Sequence, residues 1–287
     1  MTEKLVQLVV NGLMVGAVLA VPALGFTMIF AVLRFANFAI AAHMAVGAFA
    51  GYVLNAWLGL PAWIAIVGAF VCAGAIGVVS DHLTLRRLRG YSALTLAIAS
   101  IALNIMVESA LRFGFGSAPR NYAIPLQRDW SFGFLRIGPQ QAENTVIALA
   151  AMALLFLFLS RTNLGIAMRA VADNPALADS KGIDPDHMAR LAVAIGMGLG
   201  GIGGMLIGLD TAVDPLLGFR TILSIFAAAV VGGLGSIPGA VLGGFTIGLA
   251  EELSLLLLPA TYKAAIGFLI ILLVLNLRPQ GLLGLRA

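Results

Sequence analysis

Three features of the 287-residue sequence predict an all-α polytopic membrane protein. Hydrophobic residues make up 61% of the chain and charged residues only 10%, a balance that leaves too little polar surface to cover a soluble fold of this length. The mean hydropathy is +1.03, and apolar runs of membrane-spanning length recur along the chain. The 34 glycines suit helices that pack backbone to backbone, because lipid gives no hydrophobic drive to association and small residues permit close approach. We read one transmembrane domain over 1–287, with about eight or nine transmembrane or re-entrant helices.

The apolar runs fall at about 6–33, 40–58, 62–80, 92–111, 144–160, 190–209, 222–234, 239–258 and 262–277. "MTEKL" leads directly into the first run, which is longer than a signal-peptide core and carries no convincing small-residue cleavage site, so this helix is expected to be retained. It contains Pro22 and Gly25, which predict a kink near its middle, where proline removes a backbone donor. The 222–234 run is too short to span upright at ~1.5 Å per residue. With "GGLGSIPGAVLGG" behind it, it predicts a broken or re-entrant element over 222–258. Residues 112–140 mix aromatics, Gly and Pro and predict an extracytoplasmic segment, in which "DWSFGFLRI" forms a small hairpin. Glu108 and Arg112 are spaced for a local ion pair. Asn37 and Asn104 are read as interhelical hydrogen-bonding groups or as lining for a pathway.

Net charge is +4, which in such a chain bears on topology and gives no reason to expect nucleic acid. Arg86, Arg87 and Arg89 share one connection, Arg161, Arg169, Lys181 and Arg190 lie in or beside another, and Arg278 and Arg286 sit in the C-terminal tail. Alternating the spans places all three groups on one face, which the positive-inside rule makes cytoplasmic. Arg112, Arg120, Arg128 and Arg136 fall on the other face and oppose that assignment. The number of crossings, and with it the side of the N-terminus, stays open.

The most polar internal stretch is "RAVADNPALADSKGID", within a loop at 161–190. Asn174 suits an N-cap, Pro175 the first helical position and Gly182 the left-handed residue after a helix end, predicting a helix at 175–181. A second helix, 165–173, ends on Asp173 with Arg169 near its last turn, where a cation is favourable. Helices this short are unstable alone in water. Leu177, Ala178 and Ile183 must therefore be packed by the bundle or by a partner.

"GFTMIFAVLRFANFA" (25–39), "RAVADNPALADSKGI" (169–183), "AAAVVGGLGSIPGAVLGG" (227–244) with "IGLAEE" (247–252), and "RPQGLLG" (278–284) follow one another along the chain. In sequence and order these blocks resemble the permeases of branched-chain amino acid ABC importers, the Liv type, and in length the shorter of its two permease types. The resemblance implies that 174–183 is the coupling helix that docks on an ATPase. Gly182 matches the glycine of the importer pattern Glu-Ala-Ala-x-x-x-Gly, whose first positions read Ala176-Leu177-Ala178 here, without the glutamate. The coupling residues it implies are Arg169, Asn174, Pro175, Leu177, Ala178, Gly182 and Ile183. Relatives commonly follow "NFA" with His-Gly; Ile40-Ala41 in this chain implies a milder helix break. The partners implied are a second permease subunit in a heterodimer, two ATP-binding cassette subunits and an extracytoplasmic solute-binding protein. The location implied is the bacterial inner membrane, multi-pass, with no cofactor. Leucine, isoleucine, valine or a related small polar or amphipathic solute would be carried.

No Gly-Lys-Ser/Thr phosphate loop occurs in the sequence, so ATP hydrolysis would belong to other polypeptides. Gly232, Gly233, Gly235, Pro238 and Gly239 are read either as a helix break lining the pathway or as a structural hinge. Glu251 and Glu252 fall in the outer half of the membrane, where a carboxylate costs several kcal/mol unless it meets a cavity or partner. Glu251 is accordingly assigned to the pathway or a subunit interface. A single cysteine, Cys72, excludes an intramolecular disulfide and a cysteine-based zinc site. His43, His82 and His187 belong to separate segments, and neither a His-Glu-x-x-His nor a Gly-x-Ser-x-Gly motif is present. No catalytic or metal-ligating residue is expected. The alternative reading is a self-sufficient secondary transporter or channel, which needs no docking elbow and would use a buried coupling carboxylate such as Glu251.

Overall fold

The computed structural model describes residues 2–124, 128–133, 135–259, 262–278 and 280–284. In chain order its elements are α1 (Thr2–Leu33), α2 (Ile40–Tyr52), α3 (Ala62–Ser80), α4 (Arg86–Leu88), α5 (Ala93–Phe115), β1 (Trp130–Phe132), β2 (Leu135–Ile137), α6 (Pro139–Arg161), α7 (Asn163–Asp173), α8 (Pro175–Ser180), α9 (Pro185–Asp210), α10 (Leu217–Gly232), α11 (Ile237–Leu253) and α12 (Lys263–Leu277). A π turn at Val53–Trp57 prolongs α2, and another at Asp81–Leu85 joins α3 to α4. Among the described residues 7 helical segments are long and apolar enough to cross a membrane, and α10 and α12 add two shorter apolar helices. The fold is the all-α polytopic one that composition predicts, with one two-stranded antiparallel hairpin, Trp130 opposite Ile137.

Element limits depart from the sequence reading in three places. The helix α1 starts at Thr2 and is continuous through Pro22, whose ring rests against Gly203 of α9, where a Cβ would lie 2.6 Å from Pro22 Cδ. The chain breaks instead after Leu33 and becomes helical again at Ile40. In addition, α10 begins at Leu217, five residues before the expected run, although 16 residues still fall short of the ~20 needed to span upright. The connection expected over 112–140 is also shorter, because α5 runs to Phe115 and α6 begins at Pro139.

Glycine places the core. Within α9 the sequence "GMGLGGIGGM" presents glycine to three neighbours at once: Gly196 abuts Gly25 of α1, Gly201 abuts Gly47 of α2, and Gly198 abuts Phe70 of α3. Along the other side of α1, Gly12 meets Leu249, Gly16 meets Phe245 and Ala20 meets Gly244, so α1 and α11 run antiparallel with backbones in contact. Any side chain in these rows would occupy a neighbour's main chain, which is the small-residue packing expected where hydrophobicity cannot drive helices together. Of the apolar windows, 72% is buried in α9 but only 22% in α5 and 28% in α6. The outer helices therefore turn their Leu, Ile and Phe side chains outward, as lipid-facing helices do.

The bundle has two polar faces. On one, Gln7 near the start of α1 donates to Arg136 O at 2.8 Å and accepts from Arg136 N at 2.9 Å, tying the hairpin to the N-terminal helix. Tyr122 Oη donates to Ala48 O at 2.9 Å, and Arg112 pairs with Glu108 at 2.6 Å. On the other face Arg34 donates to the Ala172 carbonyl, and the C-terminal tail meets the end of α10. The two ends of the described chain thus lie on opposite faces, as an odd number of traverses gives when the two shorter apolar helices are counted with the 7 long ones.

Candidate functional site

The elbow forms where the capping residues predict it. Thr162 Oγ1 accepts from Gly165 N at 3.0 Å to start α7, and Asn174 Oδ1 accepts from Leu177 N at 3.0 Å to start α8 with Pro175 in its first turn. Gly182 has φ +84°, and Ile183 N returns to Ala178 O at 3.0 Å, closing α8 with a left-handed glycine cap. The observed helices start two residues earlier (α7) and end one residue earlier (α8) than expected. Gly165 lets α7 sit on the end of α6, since a Cβ there would lie 2.5 Å from Leu159 Cα. Ala178 is buried at 4% exposure, Ile183 is half-buried, and Leu177 is 57% exposed. The bundle packs two of the three apolar residues of α8 and its cap and leaves Leu177 facing outward.

Two sequence blocks far apart in the chain meet beside this elbow. The helix α10 ends at Gly232, Gly233 takes φ +108° and Gly235 φ +88°, and Ser236 Oγ accepts from Gly239 N at 3.2 Å to start α11, with Pro238 in its first turn. The carbonyls freed at Val231 and Gly232 accept from Leu282 N at 2.8 Å and Leu283 N at 2.9 Å. The "RPQGLLG" tail is therefore a cap for the "GGLGSIPG" break. Gly232 and Gly239 are in backbone contact, each where a Cβ would overlap the other's carbonyl. Gly235, Ser236, Pro238 and Leu283 share one cavity of about 360 Å³ with Met28 and Ala31 of α1 and with Arg169, Ala172 and Asp173 of α7. Of the residues singled out in the sequence, Arg169 of the coupling set and Gly235 and Pro238 of the helix break border this space; Asn174, Pro175, Leu177, Ala178, Gly182, Ile183, Gly232, Gly233 and Gly239 do not.

Asn37 and Glu251 stand apart from it. Asn37 lies in the 34–39 break, 1% exposed. Its Oδ1 accepts from Ala39 N at 3.1 Å, while its Nδ2 has no partner among the described residues. The expected interhelical bond is thus replaced by a local one, and the Asn104 Oδ1 of α5 is also unpartnered. Arg34 has φ +58° without being glycine, a conformation that costs ~1 kcal/mol or more. Glu251 accepts from Ser224 Oγ of α10 at 2.6 Å and is 6% exposed, and Glu252 pairs with Lys263 of α12. Both carboxylates sit at the junction of α10, α11 and α12.

Sequence reasoning missed one polar cluster. Arg86 pairs with Asp186 at 2.7 Å, Arg89 with Asp81 at 2.6 Å, and Arg89 reaches Asp186 at 3.8 Å. His43, fully buried, contacts Ala39 O through Nδ1 at 2.8 Å and Ser80 Oγ through Nε2 at 3.2 Å. The charged residues of "DHLTLRRLR" and "PDHMAR" were visible, but their pairing spans a hundred residues and has no local signal.

Comparison with known proteins fits this arrangement. A family model described as "Branched-chain amino acid transport system / permease component" matches residues 8–275. The chain is 31% identical to the high-affinity branched-chain amino acid transport system permease protein LivH of Escherichia coli K12 and 32% identical to the corresponding permease protein BraD of Pseudomonas aeruginosa PAO1, in each case over 97% of this chain and 95% of the relative. The solved structure of PsaBC from Streptococcus pneumoniae in complex with Fab superposes with a TM-score of 0.50 at 16% identity, covering 94% of this chain and 91% of the other, a likeness of fold. The chain therefore belongs to the family of branched-chain amino acid transport system permease components.

Proposed function

We propose that this chain forms half of an alternating-access pore of an ABC importer, with a second permease subunit as the other half in a heterodimer. One of two ATP-binding cassette subunits docks on α8, the other on the second permease subunit, and an extracytoplasmic binding protein delivers the solute on the hairpin face. The membrane is the bacterial inner membrane. The solute is leucine, isoleucine, valine or a related small polar or amphipathic compound, in keeping with the names of the relatives. The observation that carries the reading is the exposed Leu177 on a helix capped at both ends. A capped elbow with an apolar tip outside the spans offers a partner a defined contact. The elbow face also carries Arg86, Arg87, Arg89, Arg161 and Arg169, as a cytoplasmic face should. In use, ATP-driven closure of the ATPases moves α8, and the bundle changes the face to which it opens. A self-sufficient transporter would place its coupling carboxylate on the transport path; Glu251 lies at the junction of α10, α11 and α12, apart from the cavity beside the elbow.

Leu177→Asp tests this directly. Placing an unpaired carboxylate in an apolar contact costs a few kcal/mol, enough to weaken a modest interface by orders of magnitude. The variant inserts normally, loses its ATPases on co-purification and transports nothing; normal co-purification together with normal transport overturns the docking assignment.

A further inference from the structure

We infer that a polar relay joins the elbow to the buried break at 34–39, with Asp186 as its first positioning residue, so that movement of α8 is transmitted to that break. This rests on the reading of α8 as the docking helix. The relay is continuous in space. Asp184 Oδ1 accepts from Asp186 N at 2.8 Å, fixing the first turn of α9 directly behind the α8 cap. The Asp186 carboxylate then takes Arg86 at 2.7 Å and Arg89 at 3.8 Å, at the two ends of α4, which the π turn joins to α3. Arg89 holds Asp81 at 2.6 Å, the residue after Ser80. Ser80 Oγ meets His43 Nε2 at 3.2 Å, His43 Nδ1 meets Ala39 O at 2.8 Å, and Ala39 N donates to Asn37 at 3.1 Å.

We read four observations as favouring a second arrangement of these groups. The Arg86–Asp186 pair is about half exposed, with side-chain exposures of 34% and 54%; such pairs add little to stability, yet this one bridges α3 and the α8–α9 corner. Arg89 Nε and Nη1 and Asp81 Oδ1 are buried without hydrogen-bond partners among the described residues, so a neighbouring geometry could satisfy them better. In addition, a carbonyl only accepts, so His43 Nδ1 carries a proton toward Ala39 O and Nε2 needs one from Ser80. Ser80 Oγ is also placed to donate to Gly77 O at 3.0 Å, and with His43 neutral its single hydroxyl proton can serve only one of the two acceptors. At the far end, Arg34 holds a left-handed conformation and Asn37 Nδ2 has no partner among the described residues.

The test uses the whole transporter, reconstituted with its ATPases and binding protein, and reads solute carried per ATP hydrolysed. Arg86→Asp and Asp186→Arg should each assemble with the ATPases at normal yield and lower that ratio about tenfold. The double charge reversal should restore it to within about twofold, which a residue needed only for folding would not do. His43→Gln should lower the same ratio with assembly intact. Failure of either single variant to bind the ATPases would count against the relay as drawn, because Leu177 and not Asp186 makes the contact. A ratio unchanged in Asp186→Arg, with assembly normal, would overturn the relay and leave the docking reading untouched. A lowered ratio that the double reversal fails to restore would overturn the Arg86–Asp186 link.

Discussion

The two helix breaks on the elbow side are built on opposite principles. At 233–236 glycines occupy the positive-φ positions, the freed carbonyls of Val231 and Gly232 are taken by the tail, and Ser236 caps the next helix. At 34–39 a non-glycine residue, Arg34, holds the left-handed conformation, and the buried Asn37 lacks a partner for its amide. The first break satisfies its backbone by construction; the second leaves strain and an unmet donor in place. Strain that persists in a folded chain tends to mark the element that changes conformation. The comparison assigns the glycine break to holding the bundle together and the Asn37 break to its motion.

Gly232→Val should have the largest effect. Its side chain would enter the Gly239 main chain, and overpacking against backbone costs ~3 kcal/mol or more. Membrane-extracted protein should be largely lost, as measured by detergent-solubilised yield; normal yield would show that the two helices are not in backbone contact. Asn37→Leu comes next and separates stability from activity. It gives up the bond to Ala39 N but removes an unmet donor, so the midpoint of thermal unfolding should change by no more than about 1 kcal/mol equivalent, while transport falls about tenfold. A variant that transports normally would return 34–39 to the static class. The smallest effect belongs to Gly235→Ala. Nothing lies closer to its Cβ position than Ala31 Cα at 3.9 Å, so only the φ of +88° is penalised, by roughly 1 kcal/mol. Transport should survive with a slightly lowered unfolding midpoint, and a large loss would mean that the glycine break also moves.

These contrasts were only partly legible in the sequence. Composition and run length were enough for the fold class, because the membrane demands helices and helices demand length. The elbow was legible almost to the residue, since Asn174, Pro175 and Gly182 each do a local job that their chemistry announces. Pro22 did not end α1, whose helix runs through it, and the break after Leu33 had no signal of its own, since it falls at Arg34, a residue without any turn preference. The tail's role as a cap for Val231 and Gly232, and the Asp186–Arg86 pair, depend on tertiary contacts across many residues, and periodicity carries no record of those.

The docking of α8 on an ATPase can be tested by placing one reactive group on its outward tip. Leu177→Cys in a Cys72→Ala background, assembled with the ATP-binding subunits, should be joined to one of them by a short thiol-to-amine cross-linker, whereas a cysteine at Val171, 2% exposed, should not. Reagent added from the binding-protein side of sealed vesicles should leave the cysteine at 177 unmodified. Cross-linking to the ATP-binding subunit from 177 alone is the predicted result. Modification of that cysteine from the binding-protein side, or its failure to capture any ATP-binding subunit in a transport-competent complex, would contradict the account.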